Sequence, residues 1–192
     1  MRKAGPNNIA GVDAQLWAAL SLFLQYLKEP NFSHIHLEAP KYNDFNIVFN
    51  DGEKIICEVK NWNSAFSYSN LRDVLVGIQK NKVVGEKDEI LLICKRVDAK
   101  LLSEYKYVDY FESLQKKFRR KKFTNETIAL LPKVKFWLVS KEANKHTTSA
   151  LFNDLIGYWL PPEAIDDIVN SVFFKQIFEV SVKSATYTRS DI

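Results

Sequence analysis

The segment HIHLEAPKYNDFNIVFNDGEKIICEVKNW, His34 to Trp62, reads as three short strands: His34 to Glu38, Phe45 to Asn50 and Lys54 to Lys60. Asn50-Asp51-Gly52 supplies the turn that joins the second to the third as a hairpin. Side chains two apart on a strand share a face, so Ile56, Glu58 and Lys60 point one way and Ile55, Cys57 and Val59 the other. Glu58 and Lys60 therefore lie side by side. Asp44 stands just before the hairpin and can bring its carboxylate to the same end of the sheet, while Glu38 closes the preceding strand.

Carboxylates converging near one lysine form a site for a hard divalent cation, because Mg2+ or Mn2+ prefers carboxylate and water oxygens. Such an ion can turn a water into a nucleophile and stabilise charge on a phosphoryl group. Lys60 can position that water or neutralise the phosphate as the transition state forms. The plainer alternative is an exposed Glu58–Lys60 ion pair on an edge hairpin, which contributes little. Against it, the apolar run Ile55-Ile56-Cys57 argues for a strand covered on both faces, where an unpaired charge is costly. His34 and His36 share a face with Glu38, yet no cysteine or third histidine stands at ligand spacing, so the acidic set favours Mg2+ or Mn2+ over a transition metal.

Asp44, thirteen residues, then Glu58-Val59-Lys60 resembles the PD-(D/E)xK motif of restriction-endonuclease-like nucleases, with Asn43 where the family usually has proline. Gly11-x-x-x-Gln15, on the first helix, is similar to the pattern of double-stranded-DNA nuclease domains that serve as effectors in bacterial antiphage proteins. Those proteins include STAND NTPases and cyclic-oligonucleotide-activated nucleases. The resemblance implies a restriction-endonuclease-like α/β sandwich, a central mixed β-sheet flanked by helices. It implies an endonuclease with Asp44, Glu58 and Glu38 as metal ligands, Lys60 as the catalytic lysine, and Gln15 as a further positioning group. Gln79 is the family-like polar residue of the second helix. No histidine general base is required in this scheme. The resemblance also implies activity as a homo-oligomer on one duplex, and a sensor or NTPase module C-terminal to the nuclease in the full-length protein.

Outward from this centre, residues 1–10 read as a loose N-terminus, 11–183 as the nuclease domain and 184–192 as a polar tail or linker. A first helix capped by Asp13 carries Leu16, Leu20, Phe23, Leu24 and Leu27 at helical spacing and ends before Pro30. A second fits Ser69 to Lys82, with Leu71, Val74, Leu75 and Ile78 inward. Between them Trp62, Phe66 and Tyr68 are either core residues or platforms for a base. Glu89 to Lys95 and Val134 to Ser140 read as buried strands. Lys100 to Lys122, Ser149 to Trp159 and Glu163 to Asn170 read as helices, and Phe173 to Val182 as a last strand or apolar helix. Strands alternating with helices after a hairpin point to an α/β sandwich.

Lys116, Lys117, Arg119, Arg120, Lys121 and Lys122 are six basic residues within seven. They read either as a solvated helix end or as a grip on a nucleic-acid backbone, with salt-dependent, sequence-independent binding. The chain's 192 residues and net charge of +4 suit one domain and permit DNA as a partner. Cys57 and Cys94 lie inside apolar runs, as in a reduced, cytoplasmic protein, and no segment is long and apolar enough to span a bilayer. Two rival readings accompany the DNA endonuclease: an RNA-directed nuclease, and a catalytically inactive module that keeps the fold for nucleic-acid binding or oligomerisation.

Overall fold

A computed structural model describes residues 6–37, 44–60, 64–80, 84–105, 111–169, 171 and 186–188, with side chains undescribed at 6–12, 111–114 and 186–188. Helix α1 (Pro6–Tyr26) is followed by β1 (Phe32–Leu37), β2 (Phe45–Phe49), β3 (Lys54–Lys60), α2 (Tyr68–Lys80) and β4 (Glu89–Cys94). Three short helices, α3 (Ala99–Tyr105), α4 (Phe111–Arg120) and α5 (Asn125–Leu130), lead into β5 (Val134–Leu138). Then come α6 (Lys141–Ile156), α7 (Pro162–Ile168) and a three-residue strand β6 (Thr186–Thr188).

The strands form one mixed sheet in the order β5-β4-β3-β2-β1-β6, five strands with β6 as a short addition at one edge. β1, β2 and β3 run antiparallel, and β3, β4 and β5 run parallel. β3 is therefore the strand where the antiparallel meander meets the parallel half. Its place in the middle excludes the edge-hairpin alternative. The hairpin turn falls where the sequence places it, with Gly52 at φ 84°, a left-handed conformation that glycine adopts without steric cost.

Both faces of the sheet are covered. On one face α1 and α6 bury Trp17, Phe23, Phe45, Ile47, Ile55 and Cys57, with Ile165 of α7 in the same cluster. On the other, α2 to α5 bury Ile56, Leu71, Leu75, Ile90, Leu92 and Phe118. The alternation read along β3 is thus realised, with Ile56 under α2 and Ile55 and Cys57 under α1. A parallel β3-α2-β4 connection needs such a crossover helix.

Several boundaries differ from the sequence reading. The first helix starts at Pro6 rather than at Gly11, and proline suits a first helical turn because its missing N–H has no partner there. Asp13 lies inside α1, and its carboxylate pairs with Lys141 instead of capping. The single helix expected over Lys100 to Lys122 is two, α3 and α4. α5 is an unexpected helix, capped by the Thr124 side chain accepting from the Thr127 N–H. α6 begins eight residues before the expected Ser149. Ser140 caps it, and its buried residues in the first half, Asn144 and Thr148, are polar and give no apolar period. It ends at Gly157 (φ 75°), ahead of the prolines expected to stop it. Residues 186–188, expected as tail, pair antiparallel with β1. Phe173 to Val182 lies outside the described residues. Among the described residues no helix is long and apolar enough to cross a membrane.

Candidate active site

The site forms at the C-terminal end of β3. The register pairs Phe45 with Cys57, so Asp44 falls opposite Glu58. Asp44 donates its backbone N–H to the Cys57 carbonyl at 3.0 Å, and its Oδ2 accepts the Val59 N–H at 2.6 Å. The carboxylate is thereby fixed by backbone on one side. On the other, Gln15 of α1 donates its Nε2 to Asp44 Oδ1. Gln15 and Asp44 are 29 residues apart in the chain, and the helix layer brings them together.

Glu58 is 7% exposed, and its Oε1 pairs with Lys60 Nζ. Its Oε2 is buried and has no hydrogen-bond partner among the described residues. Burial pushes the Asp44 carboxyl up to about 7, and the neighbouring Glu58 pushes in the same direction; the Val59 N–H and Lys60 pull it back only in part. Burial raises Glu58 as well, against the pull of Lys60. Two carboxylates taken out of water beside one another with one lysine are an electrostatic conflict that a cation relieves. The donors are hard oxygens, one carboxylate oxygen is orphaned, and both groups sit above their normal titration range. The residues present therefore fit Mg2+ or Mn2+.

Two of the three expected ligands meet here. Glu38 lies outside the described residues, and among those described no group of three or more His, Cys, Asp and Glu is placed to share a metal. His34 and His36 sit on β1, with β2 between them and β3. His34 Nδ1 lies 3.0 Å from Ser33 Oγ.

Other expected residues fall elsewhere. α2 starts near the site and runs back along the sheet, which places Gln79 toward the opposite end, away from Lys60. Trp62 lies outside the described residues. Phe66 is fully buried and Tyr68 donates its hydroxyl to Glu104, so neither offers a free ring face for a base. Tyr68 instead lies under Lys121, whose Nζ is 5.3 Å from the ring centroid. The basic run is exposed at all six positions around the buried Phe118. Lys117 also pairs with Glu104 at 3.5 Å.

The sequence reading missed a second basic feature. A small open cleft lies beside Lys60, lined by Ala14 of α1, Cys94 and Lys95 at the end of β4, and Lys141 and Asn144 of α6. These residues are too dispersed along the chain to form a motif.

No protein-family model and no curated protein matches the chain. Its fold is similar to that of the Acinetobacter baumannii Cap4 SAVED/CARF-domain containing receptor, solved with the cyclic trinucleotide 3'3'3'-cAAA. The two share 17% identity at a TM-score of 0.63, over 93% of this chain and 42% of that one. The Moraxella osloensis Cap4 SAVED/CARF-domain containing receptor is similar at 16% identity and a TM-score of 0.59, over 94% of this chain and 45% of the other. The chain thus spans less than half the length of these receptors. At such identities the likeness is one of fold, an α/β mixed sheet between helical layers.

Proposed function

We propose that the chain is a Mg2+-dependent endonuclease domain of the PD-(D/E)xK type, hydrolysing phosphodiester bonds of double-stranded DNA with little sequence preference. One observation carries the reading: the half-buried Asp44 and the buried Glu58 are held together and raised, with the Glu58 Oε2 unpartnered and Lys60 alongside. Bound there, Mg2+ supplies positive charge for the phosphoryl oxygens and makes a water more acidic. Asp44 and Glu58 would hold the ion. Gln15 and the Val59 N–H keep the Asp44 carboxylate in one orientation. Lys60, paired with Glu58, would set its ammonium beside the phosphate and neutralise part of the charge that develops there.

The fold likeness to Cap4 receptors supports an antiphage role, with this chain as effector and a ligand-sensing module elsewhere in a longer protein. The cyclic trinucleotide held by one of those receptors raises a second reading, in which this fold is itself the ligand-binding part. The carboxylate pair argues against it, because a polyanionic nucleotide gains nothing from two buried acids.

The test is nicking and linearisation of supercoiled plasmid with Mg2+ or Mn2+, comparing wild type with Lys60→Ala and Glu58→Ala. Metal-dependent cutting lost in both variants is the expected outcome. A wild type that fails to cut even when tethered into dimers, or variants that cut as well as wild type, would refute the assignment.

A further inference from the structure

We infer that the basic end of α4 grips the phosphate backbone of a duplex and holds the DNA against the site end of the sheet, on the side covered by α2 to α5. The inference rests on the nuclease reading for the purpose of the grip, and otherwise on α4 itself. Six of the chain's 27 lysines and arginines fall within 116–122, which leaves 21 against 23 acids in the rest of the chain. Without this run the protein would be slightly acidic. Its positive charge is local.

Packing fixes the run in place. The Phe118 ring lies 5.8 Å from that of Tyr68 and 4.9 Å from that of Phe123, and Lys121 stands over Tyr68. Tyr68 opens α2, and Phe66 just before it pairs with Val97, beyond the last residue of β4. That is the end of the sheet where Lys60 pairs with Cys94, so the run and the carboxylate pair share it. Lys117 is engaged by Glu104 and Lys121 by the Tyr68 ring. At 3.6 residues per turn Lys116 and Arg120 stand opposite the buried Phe118, with Arg119 beside them, and all three are exposed.

The backbone supplies a second, independent observation. α4 ends in a Schellman motif: the Phe123 N–H donates to the Phe118 carbonyl at 3.2 Å and the Lys122 N–H to the Arg119 carbonyl at 2.9 Å, with the Phe118–Phe123 contact closing it. Glycine is the favoured residue at the left-handed position of this motif. Here it is Lys122, at φ 66°, the one non-glycine residue with positive φ among those described. Lys116 and Arg120, and Lys117 and Lys121, are also like charges four apart, a spacing that opposes the helix. The helix dipole rewards cations in the last turn, but it calls for neither a lysine at 122 nor this crowding. An anionic partner compensates both.

Neighbouring acids do not cancel the run. Among the described side chains between β4 and β5 the acids are Asp98, Glu104 and Glu126. Asp98 accepts the Lys100 and Leu101 N–H groups, Glu104 takes Lys117 and the Tyr68 hydroxyl, and Glu126 is held low by its own helix-terminal amide and the Thr124 hydroxyl. Counted in full, these three acids still leave an excess of positive charge on six bases. The apolar member of the run, Phe118, is buried, so the face lacks the anchor of a membrane-surface helix. Its two arginines match phosphate oxygens in pairs.

The experiment is equilibrium binding of a fluorescein-labelled duplex in EDTA across a salt series. It compares wild type, a Lys116→Gln/Arg119→Gln/Arg120→Gln variant and Lys122→Gly, with thermal unfolding of each. The triple variant is expected to stay folded, to bind more weakly and to lower the slope of log K against log salt by about 3. Lys122→Gly is expected to lower the slope by about 1 while raising the unfolding midpoint, since glycine relieves the left-handed backbone. Unchanged affinity and slope in both variants would overturn the grip, as would a wild type that binds no duplex. Poly-glutamate that displaces the labelled duplex as well as unlabelled duplex does would overturn DNA as the partner, in favour of an acidic protein. Because binding is read without metal, a wild type that binds through α4 but fails to cut plasmid keeps the grip and refutes the nuclease. Plasmid cutting and binding that both survive in the triple variant keep the nuclease and refute the grip.

Discussion

Replacing Asp44 by asparagine keeps the shape of the side chain and removes its charge. The carboxyl is raised from 3.8 to about 7, first by burial and then by Glu58. A carboxyl whose folded value lies above its unfolded value holds its proton longer in the native state, so wild-type stability falls as pH rises from about 4 to about 7. The cost is complete above about 7. Three units at 1.36 kcal/mol each set a ceiling of about 4 kcal/mol. Glu58 shares that cost because the two acids titrate together. Asparagine also gives up the charged character of the bond from the Val59 N–H, a loss of about 1 kcal/mol. Asp44→Asn is therefore expected to be more stable than wild type by about 2 kcal/mol at pH 8 in EDTA, and no more stable at pH 4. Mn2+ reverses the order, since an ion held at one hundred times its Kd stabilises only the protein that binds it, by about 2.7 kcal/mol. Urea titrations followed by tryptophan fluorescence at pH 4, 6 and 8, with EDTA or Mn2+, read all of these differences. A variant less stable than wild type at pH 8 in EDTA, or a difference that ignores pH, would refute the picture of a strained acidic pair.

Four further substitutions test the frame around the site. Gly157→Ala meets open space but takes a left-handed backbone, so it is expected to lower stability by about 1 kcal/mol in thermal or urea unfolding. Ser140→Ala removes the hydroxyl that accepts the Ala143 N–H at 3.1 Å, and an N-cap loss of about 1 kcal/mol is expected from the same measurement. Phe118→Ala opens a hole between Tyr68 and Phe123 and is expected to cost about 3 to 5 kcal/mol, whereas Lys116→Ala on the exposed side of α4 stays within about 0.5.

Much of the site was written locally. The alternation of Ile55 to Lys60 assigned each side chain to a face, and the Asn50-Asp51-Gly52 turn fixed the register that sets Asp44 opposite Glu58. Both follow from a strand period of two and from turn chemistry, which act over a few residues. The apolar continuity of β3 likewise foretold its cover on both faces. Other features depend on which distant segment supplies the cover, and no local pattern records that choice. The start of α6 was hidden because Asn144 and Thr148 are buried as polar groups. Gln79 was misplaced because α2 runs back along the sheet. The joining of residues 186–188 to β1 depended on an edge that only the assembled sheet presents. By itself the sequence determined the hairpin, its faces and the Asp44, Glu58 and Lys60 triplet. The tertiary structure alone decided that Gln15 reaches Asp44, that the acids are buried enough to be raised, and that three lysines from separate elements share one cleft. The physical reason is range: backbone period and turn preference are set within a few residues, whereas desolvation and charge proximity exist only after the layers have packed.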